Sequence, residues 1–428
     1  MTRSITAAVE ELKSSLRFSL SPDLITRACV EAGHRWRDRK LDPVTTIWMF
    51  TLQVVHQNTA CQHAVRLLTG VTATDGAYCQ ARARLPLAVF ESLFRRMTQR
   101  LLRSIDVALD RWHGHRVFFI DGSSCSMPDT AELQATFGQP TGQKDGCGFP
   151  MANLIGLFHR SGLLVKMLVN PLYTSEPRVA SQVFDCLLPG DVLVGDRAYS
   201  SYVNLALVLQ REVHAVFREH ARRPVDFRRG RRIACNDRII VREKPRRRPH
   251  WMNATEFEQL PDRLTLRQVR YNVIADGYRS RTVVLITTLL DGDAYPLTEL
   301  AELYGERWEV ETCFRHLKQT MRMDMLRCKT ADGVRKELAI YGVAYNLVRS
   351  IMVRAGIEQG VPPDRISLVD VLRCLSLGLC RRELPRFVIN PHRPGRIQPR
   401  AVKRRLKQYA RLTHPRSRMP NVMATWIL

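Results

Sequence analysis

Several large protein classes are excluded by what this chain does not contain. Its 428 residues hold no uninterrupted run of about 18 apolar residues, the minimum for a bilayer span, so neither a transmembrane helix nor a membrane partner is expected. The eleven cysteines are odd in number and scattered, with no C-x-x-C pair. Cys61-Gln62-His63 and Cys313-x-x-His316 come nearest to ligand pairs, and neither has a second pair at zinc spacing. A zinc module and a disulfide framework are therefore not expected; buried free thiols in a reducing compartment are. No internal repeat is present. The first residues are interrupted by Glu10, Glu11 and Lys13, which does not fit a secretory signal, and a cytoplasmic protein is expected.

Acidic residues are scarce too. With 66 Lys+Arg against 41 Asp+Glu, the formal net charge is +25. Because each phosphate neutralised by a cation releases bound counterions, a surplus of this size predicts a polyanionic partner, most simply nucleic acid. The apolar fraction of 45% is ordinary for a globular protein, and the length suits two or three folding units.

Along the chain, residues 1–110 read as helical, with helix-period runs over Ala7–Phe18, Val44–His56, Ala60–Leu68 and Ala88–Leu102. Basic residues punctuate them, which suits a DNA-binding module as well as it suits a solvated helical cap. From Arg116 the pattern turns to strands. Val117–Ile120 is an apolar run ending on Asp121-Gly122, and Asn153–Phe158 with Leu163–Val169 forms a hairpin turned at Arg160-Ser161-Gly162. A helix over Val179–Leu188, a strand at Val192–Val194, a helix over Tyr202–Gln210 and a strand at Val213–Phe217 follow. That order is an α/β arrangement with a mixed sheet. Residues 221–295 interrupt it with β-type runs at Arg238–Val241, Thr265–Ile274 and Arg281–Leu290. Between Arg222 and Arg248 stand twelve Arg/Lys and three Asp/Glu. A helix then begins near Pro296. The C-terminal stretch is basic and proline-rich, extended in part and helical over Arg400–Leu412.

The most informative segment lies in the helix after Pro296. Tyr304, Arg307, Glu311 and Lys318 stand at offsets that fall, at about 100° per residue, within an arc of about 60°. Leu303, Val310, Phe314, Leu317 and Met321 form an apolar stripe beside them. One side of the helix should therefore be buried while an adjacent seam presents an acid, two cations and a phenol; a solvated face with i,i+4 ion pairs is the plainer reading.

Asp121 and Asp196 each stand where an apolar strand runs out beside a glycine, and strand ends are where α/β sheets collect ligands. With Glu311 they would supply three hard oxygen donors, which suit Mg²⁺ or Mn²⁺. Two such ions about 4 Å apart could activate a nucleophile and stabilise a leaving oxygen at a phosphodiester.

The run Tyr304-(2)-Arg307-(3)-Glu311-(6)-Lys318 resembles the signature of the DDE transposases of the insertion-sequence-4 family, and it is complete at all four positions. Asp121 in F-F-I-D-G-S and Asp196 in G-D-R-A-Y resemble that family's two aspartates. The segment Gly142–Pro150 and the basic C-terminus are also similar, so the resemblance covers about residues 40–410. It implies an RNase H-like catalytic domain with a β-rich insertion, preceded by a helical N-terminal domain. The divisions expected are 1–110 (helical, DNA-binding), 111–220 and 297–372 (catalytic), 221–296 (insertion) and 373–428 (basic tail).

By the same resemblance Asp121, Asp196 and Glu311 would be the catalytic metal ligands, with two Mg²⁺ or Mn²⁺ ions. Tyr304, Arg307, Lys318 and Arg197 would hold DNA, and Trp251 is a candidate to stack on a flipped base. The implied activity is cleavage at the ends of a mobile element and joining of the 3′-OH to target DNA. Its partners would be the terminal inverted repeats, target DNA and, on paired ends, a second copy of the chain, in the bacterial nucleoid. A nuclease on the same fold without strand transfer and a silent DNA-binding regulator are the alternatives.

Overall fold

The computed structural model describes residues 20–67, 72–108, 111–273, 281–376 and 414–415. Among the described residues, five helices come first. In α1 (Pro22–Glu31) and α2 (Pro43–Val55) proline fills the first turn and a polar side chain caps it. Ser21 Oγ accepts from Leu24 N–H at 3.2 Å and Asp42 Oδ1 from Thr45 N–H at 2.7 Å, each satisfying an otherwise orphaned donor. Then come α3 (Cys61–Leu67), α4 (Asp75–Arg84) and the long α5 (Leu87–Ala108). α1 and α4 fall between the runs that the periodicity picks out. The helix expected over Ala7–Phe18 and, His414 and Pro415 apart, the tail beyond Ser376 lie outside the described residues.

The strands form one nine-stranded mixed sheet in the order β3-β2-β1-β4-β5-β9-β8-β7-β6. β1 (Val117–Ser126), β2 (Met151–His159) and β3 (Leu164–Pro171) are an antiparallel meander. β4 (Val192–Gly195) and β5 (His214–Arg218) run parallel to β1. Between them lie α6 (Ala131–Phe137), α7 (Glu176–Phe184) and α8 (Tyr202–Leu209). The expected sequence of strands and helices is present, and this half of the sheet is consistent with an RNase H-like domain. The β-rich segment adds β6 (Arg231–Ala234), β7 (Asp237–Glu243), the short helix α9 (Ala254–Glu258), β8 (Arg263–Val273) and β9 (Arg281–Thr287). β9 pairs antiparallel with β5, so these strands extend the same sheet.

Alternating side chains build two cores. Val117 and Phe119 point to one face, where they join α2, α5 and the long helix α12 (Ala331–Gln359). Phe118 and Ile120 point to the other, against α7 and α8. The N-terminal helices thus share a continuous core with α12 and one sheet face. Asn346 on α12 stitches them together: its Oδ1 accepts from Leu164 N–H at 2.9 Å, and its Nδ2 donates to Leu164 O at 2.8 Å and Thr98 Oγ1 at 3.0 Å. The chain closes its described course with α13 (Leu368–Ser376).

Two expectations need correction. β1 does not end at Asp121; it continues to Ser126 because pairing with β2 persists, while its parallel pairing with β4 stops at Ile120. Among the described residues the thiols are free but not uniformly buried: Cys29, Cys125 and Cys313 are, whereas Cys79 and Cys235 are exposed. Among the described residues no helix is long and apolar enough to cross a membrane.

Candidate active site

The segment after Pro296 is helical but not one regular helix. α10 (Leu297–Glu306) and α11 (Trp308–Arg315) meet at Arg307, and a π turn spans His316–Thr320. At the joint the bonds tighten to i→i−3, Arg307 N–H to Tyr304 O at 3.2 Å and Val310 N–H to Arg307 O at 3.0 Å. The π turn widens the far end, so Lys318 departs from the regular seam, as π turns near functional sites often cause. Its Nζ instead donates to Ser123 Oγ on β1 at 3.3 Å. The apolar stripe is as expected: Leu303, Val310, Phe314, Leu317 and Met321 are all buried.

That stripe sets α11 directly over β1 and β2. Gly156 lies opposite Asp121 in the β1–β2 register, and a Cβ there would come within 2.8 Å of Phe314 Cζ. A bare glycine lets α11 approach, and the approach brings Arg307 and Glu311 to Asp121. Arg307 donates to Asp121 Oδ2 at 3.1 Å and to Glu311 Oε1 at 3.5 Å. Asp121 and Arg307 are largely buried, while the Glu311 side chain is 47% exposed.

Asp196 follows β4, where its Oδ1 accepts from Ala198 N–H at 2.8 Å and anchors the turn into α8. It lines an open cleft with Arg197, Arg218, Thr282, Tyr304 and Arg307. The electrostatics tie the acids together. Burial lifts the Asp121 carboxyl to about 6 against the pull of Arg307 and the Gly122 N–H, and the charges of Asp196 and Glu311 add to the rise. Burial likewise raises the Tyr304 phenol, with Arg307 opposing.

Of the residues singled out from sequence, Asp121, Asp196, Glu311, Tyr304, Arg307 and Arg197 gather around this cleft, and Lys318 borders it through Ser123. Trp251 does not line the cleft; it packs, partly buried, against the core beneath α7 and α8. Three hard oxygen donors match Mg²⁺ or Mn²⁺ in kind. Among the described residues, however, no three His, Cys, Asp or Glu side chains are gathered closely enough to hold an ion, with Arg307 bridging Asp121 and Glu311. The guanidinium is the positive charge that stands between the largely buried Asp121 and the half-exposed Glu311.

Four neighbours escape the sequence reading. Arg218, at the end of β5, carried the same signal as the aspartates: a charge where an apolar strand stops. Trp308, 57% exposed, has the Arg307 guanidinium 5.6 Å from its ring centre. Glu176 and Tyr199 adjoin the acids through tertiary packing and carry no local signal.

Comparison with known proteins agrees with this picture. A family model described as the transposase DDE domain matches residues 112–347. The chain is also 25% identical over 396 residues to the transposase InsG for insertion sequence element IS4 of Escherichia coli (strain K12), covering 90% of this chain and 85% of that protein.

Proposed function

Since the chain belongs to the DDE transposases and is a metal-dependent enzyme of DNA cleavage and strand transfer, we propose that Asp121, Asp196 and Glu311 are its catalytic metal ligands. The observation that carries this reading is the Asp121–Arg307–Glu311 bridge beside Asp196, at the crevice where β1 and β4 part. Two divalent cations bound there would supply Lewis acidity to the attacking and leaving oxygens of a phosphodiester.

The chain's own groups do the rest. The Arg307 guanidinium, which bridges Asp121 and Glu311, would supply the fork that grips the oxygens of a phosphate. Arg197 and Lys318 hold the backbone on either side, and the Tyr304 hydroxyl orients Arg307. Arg218, the third arginine of the cleft, joins them. We assign residues 1–110 and the insertion 221–296 to DNA binding, 111–220 and 297–372 to an RNase H-like catalytic unit, and 373–428 to a basic tail. Trp251 remains the insertion's candidate for stacking on an unpaired base. The proposed partners are terminal inverted repeats and target DNA in the nucleoid, with two copies of the chain on paired ends.

The test is cleavage of a duplex carrying an element end, with Mg²⁺ or Mn²⁺. Asp121→Asn, Asp196→Asn and Glu311→Gln should each abolish cleavage and spare end binding. Robust cleavage by any of them removes that residue from the site.

A further inference from the structure

Cys61 opens α3 and Cys79 stands in the middle of α4. Eighteen positions apart in sequence, they meet in the fold: the Cys79 thiol donates to Cys61 Sγ at 3.6 Å. The sulfurs of a disulfide lie about 2.05 Å apart, so an approach of about 1.5 Å separates this dithiol from a cystine. Cys79 is exposed and Cys61 half-buried, so a reagent in solution reaches Cys79 first.

A second, independent feature marks the pair: one fixed cation faces both sulfurs. Arg82, also on α4, brings Nη2 to 3.7 Å from Cys61 Sγ and 3.9 Å from Cys79 Sγ. Its guanidinium lies over the rings of Phe50 and Tyr78, 4.5 and 4.8 Å from their centres. Its Nη1 donates to Gln53 Oε1 at 3.2 Å, and the Tyr78 hydroxyl donates to the same oxygen at 2.9 Å. Gln53 and Tyr78 are buried, so the guanidinium is held where it stands. The acids that act on it are the Tyr78 phenol and the thiols of Cys328, Cys61 and Cys79. A cation beside a thiol favours the thiolate, which is the reactive form. Burial raises the Cys61 thiol and Arg82 opposes that rise, which leaves the exposed Cys79 as the first nucleophile.

We propose that Cys61 and Cys79 form a reversible disulfide by exchange with a low-molecular-weight disulfide, with Arg82 as the positioning residue that favours their thiolates. The Cys79 thiolate attacks one sulfur of the reagent and expels one thiolate, leaving a mixed disulfide on Cys79. Cys61 then gives up its proton, and its sulfur attacks the Cys79 sulfur and expels the second thiolate. Two cysteine thiols are oxidised to one cystine, the reagent is reduced to two thiols, and the two cysteine protons end on those. In a reducing compartment the pair rests as the dithiol, and its disulfide is transient and redox-sensing. The bond ties α3 to α4 and stabilises the fold chiefly by constraining the unfolded chain.

The test incubates the reduced full chain with oxidised glutathione and maps its peptides by mass without reduction. The expected product is a linked pair of peptides holding Cys61 and Cys79, lighter by two hydrogens and separated by dithiothreitol. It should form on the order of tenfold faster than in urea, where the fold no longer holds the sulfurs together. Cys61→Ser should stop with glutathione on Cys79, and Cys79→Ser should leave Cys61 unlinked. Arg82→Gln should slow the cross-link about tenfold near pH 7, and the deficit should shrink as rising pH forms the thiolates without help. A merely structural role for Arg82 would not give that pH dependence. Thermal unfolding of the reduced chain checks each variant's fold; should Arg82→Gln fail to fold, Arg82→Met should show the same deficit. The oxidised wild type should unfold at a higher temperature than the reduced one, a shift absent from Cys79→Ser. No Cys61–Cys79 link, a link from Cys79 to Cys328 in its place, or a rate no faster than in urea would overturn the inference. An unchanged rate in the folded Arg82 variant would overturn the role given to Arg82.

Discussion

Arg307 holds Asp121 and Glu311 in a single bridge, with nitrogen–oxygen distances of 3.1 and 3.5 Å to acids on a strand and a helix respectively. One planar guanidinium spans both with a fixed fork; a lysine ammonium, a point charge on a flexible stem, keeps the charge but not that fixed geometry. Arg307→Lys should therefore fold, keep most of its DNA affinity and lose cleavage and joining on the order of 10²-fold, the scale of a displacement of about 1 Å in a reacting group. Arg307→Ala should weaken DNA binding too. Strand-transfer yield decides the matter: near wild-type activity in the lysine variant would reduce Arg307 to a replaceable cation.

The β6–β9 strands are tied to the loop before α10 through a buried ion pair. Arg267 on β8 is fully buried and donates to Asp237 through Nε at 2.8 Å and Nη2 at 2.5 Å. Its Nη1 donates to Asp291 O at 2.9 Å and Tyr295 O at 2.7 Å, fixing the loop that leads into α10. Arg267→Met would leave the Asp237 charge buried and unpaired, at a cost of about 3–5 kcal/mol. Adding Asp237→Asn should recover much of that loss, because the orphaned charge goes with it. Denaturant midpoints of the single and double variants measure it, and a loss of less than about 1 kcal/mol in Arg267→Met would contradict the pairing argument.

His316, in the π turn, gives an acid-side signature. Burial first, then Arg349 and Arg315, lowers its imidazole from an ordinary 6.5 to about 4. The folded chain thus keeps His316 neutral where the unfolded chain takes up a proton. With more protons bound by the unfolded state, stability is fully present above about 6.5 and falls as the pH drops toward 4. His316→Gln removes this contribution, so its thermal midpoint should decline less between pH 7 and pH 4.5 than that of the wild type. Parallel declines would mean that His316 is protonated in the folded chain.

Short-range patterns made β2, β3, β4 and α8 legible in the sequence, because alternation and helical period are local. The strand–helix order in turn fixed the neighbours of Asp121 and Asp196. The apolar stripe Leu303–Met321 correctly marked the buried side of this helical segment. Regular helical geometry, however, could not foresee the joint at Arg307 or the π turn at Lys318. The extension of β1 past Asp121 depends on β2, whose Gly156 stands opposite that residue only in the folded sheet. Glu176 approaches Gly122 only once α7 has packed on the sheet, which is why no spacing in the chain announces it.

The charge surplus predicts how DNA binding responds to salt. The net charge is +25, and part of it sits on β6 at the sheet's outer edge, where Arg231 and Arg232 are exposed. Cations so placed grip phosphates without reading bases, and each releases about one counterion. If six to ten phosphates are covered, affinity for a random duplex should fall on the order of 10³–10⁵-fold between 50 and 200 mM salt. Replacing Arg231 and Arg232 by serine should flatten the log–log salt slope by about one for each phosphate no longer gripped. Affinity should drop uniformly across sequences, because phosphates are alike at every site. A slope near zero in the wild type would mean that the basic surface does not face DNA, and an unchanged slope in the double variant would remove the β6 edge from the DNA-binding surface.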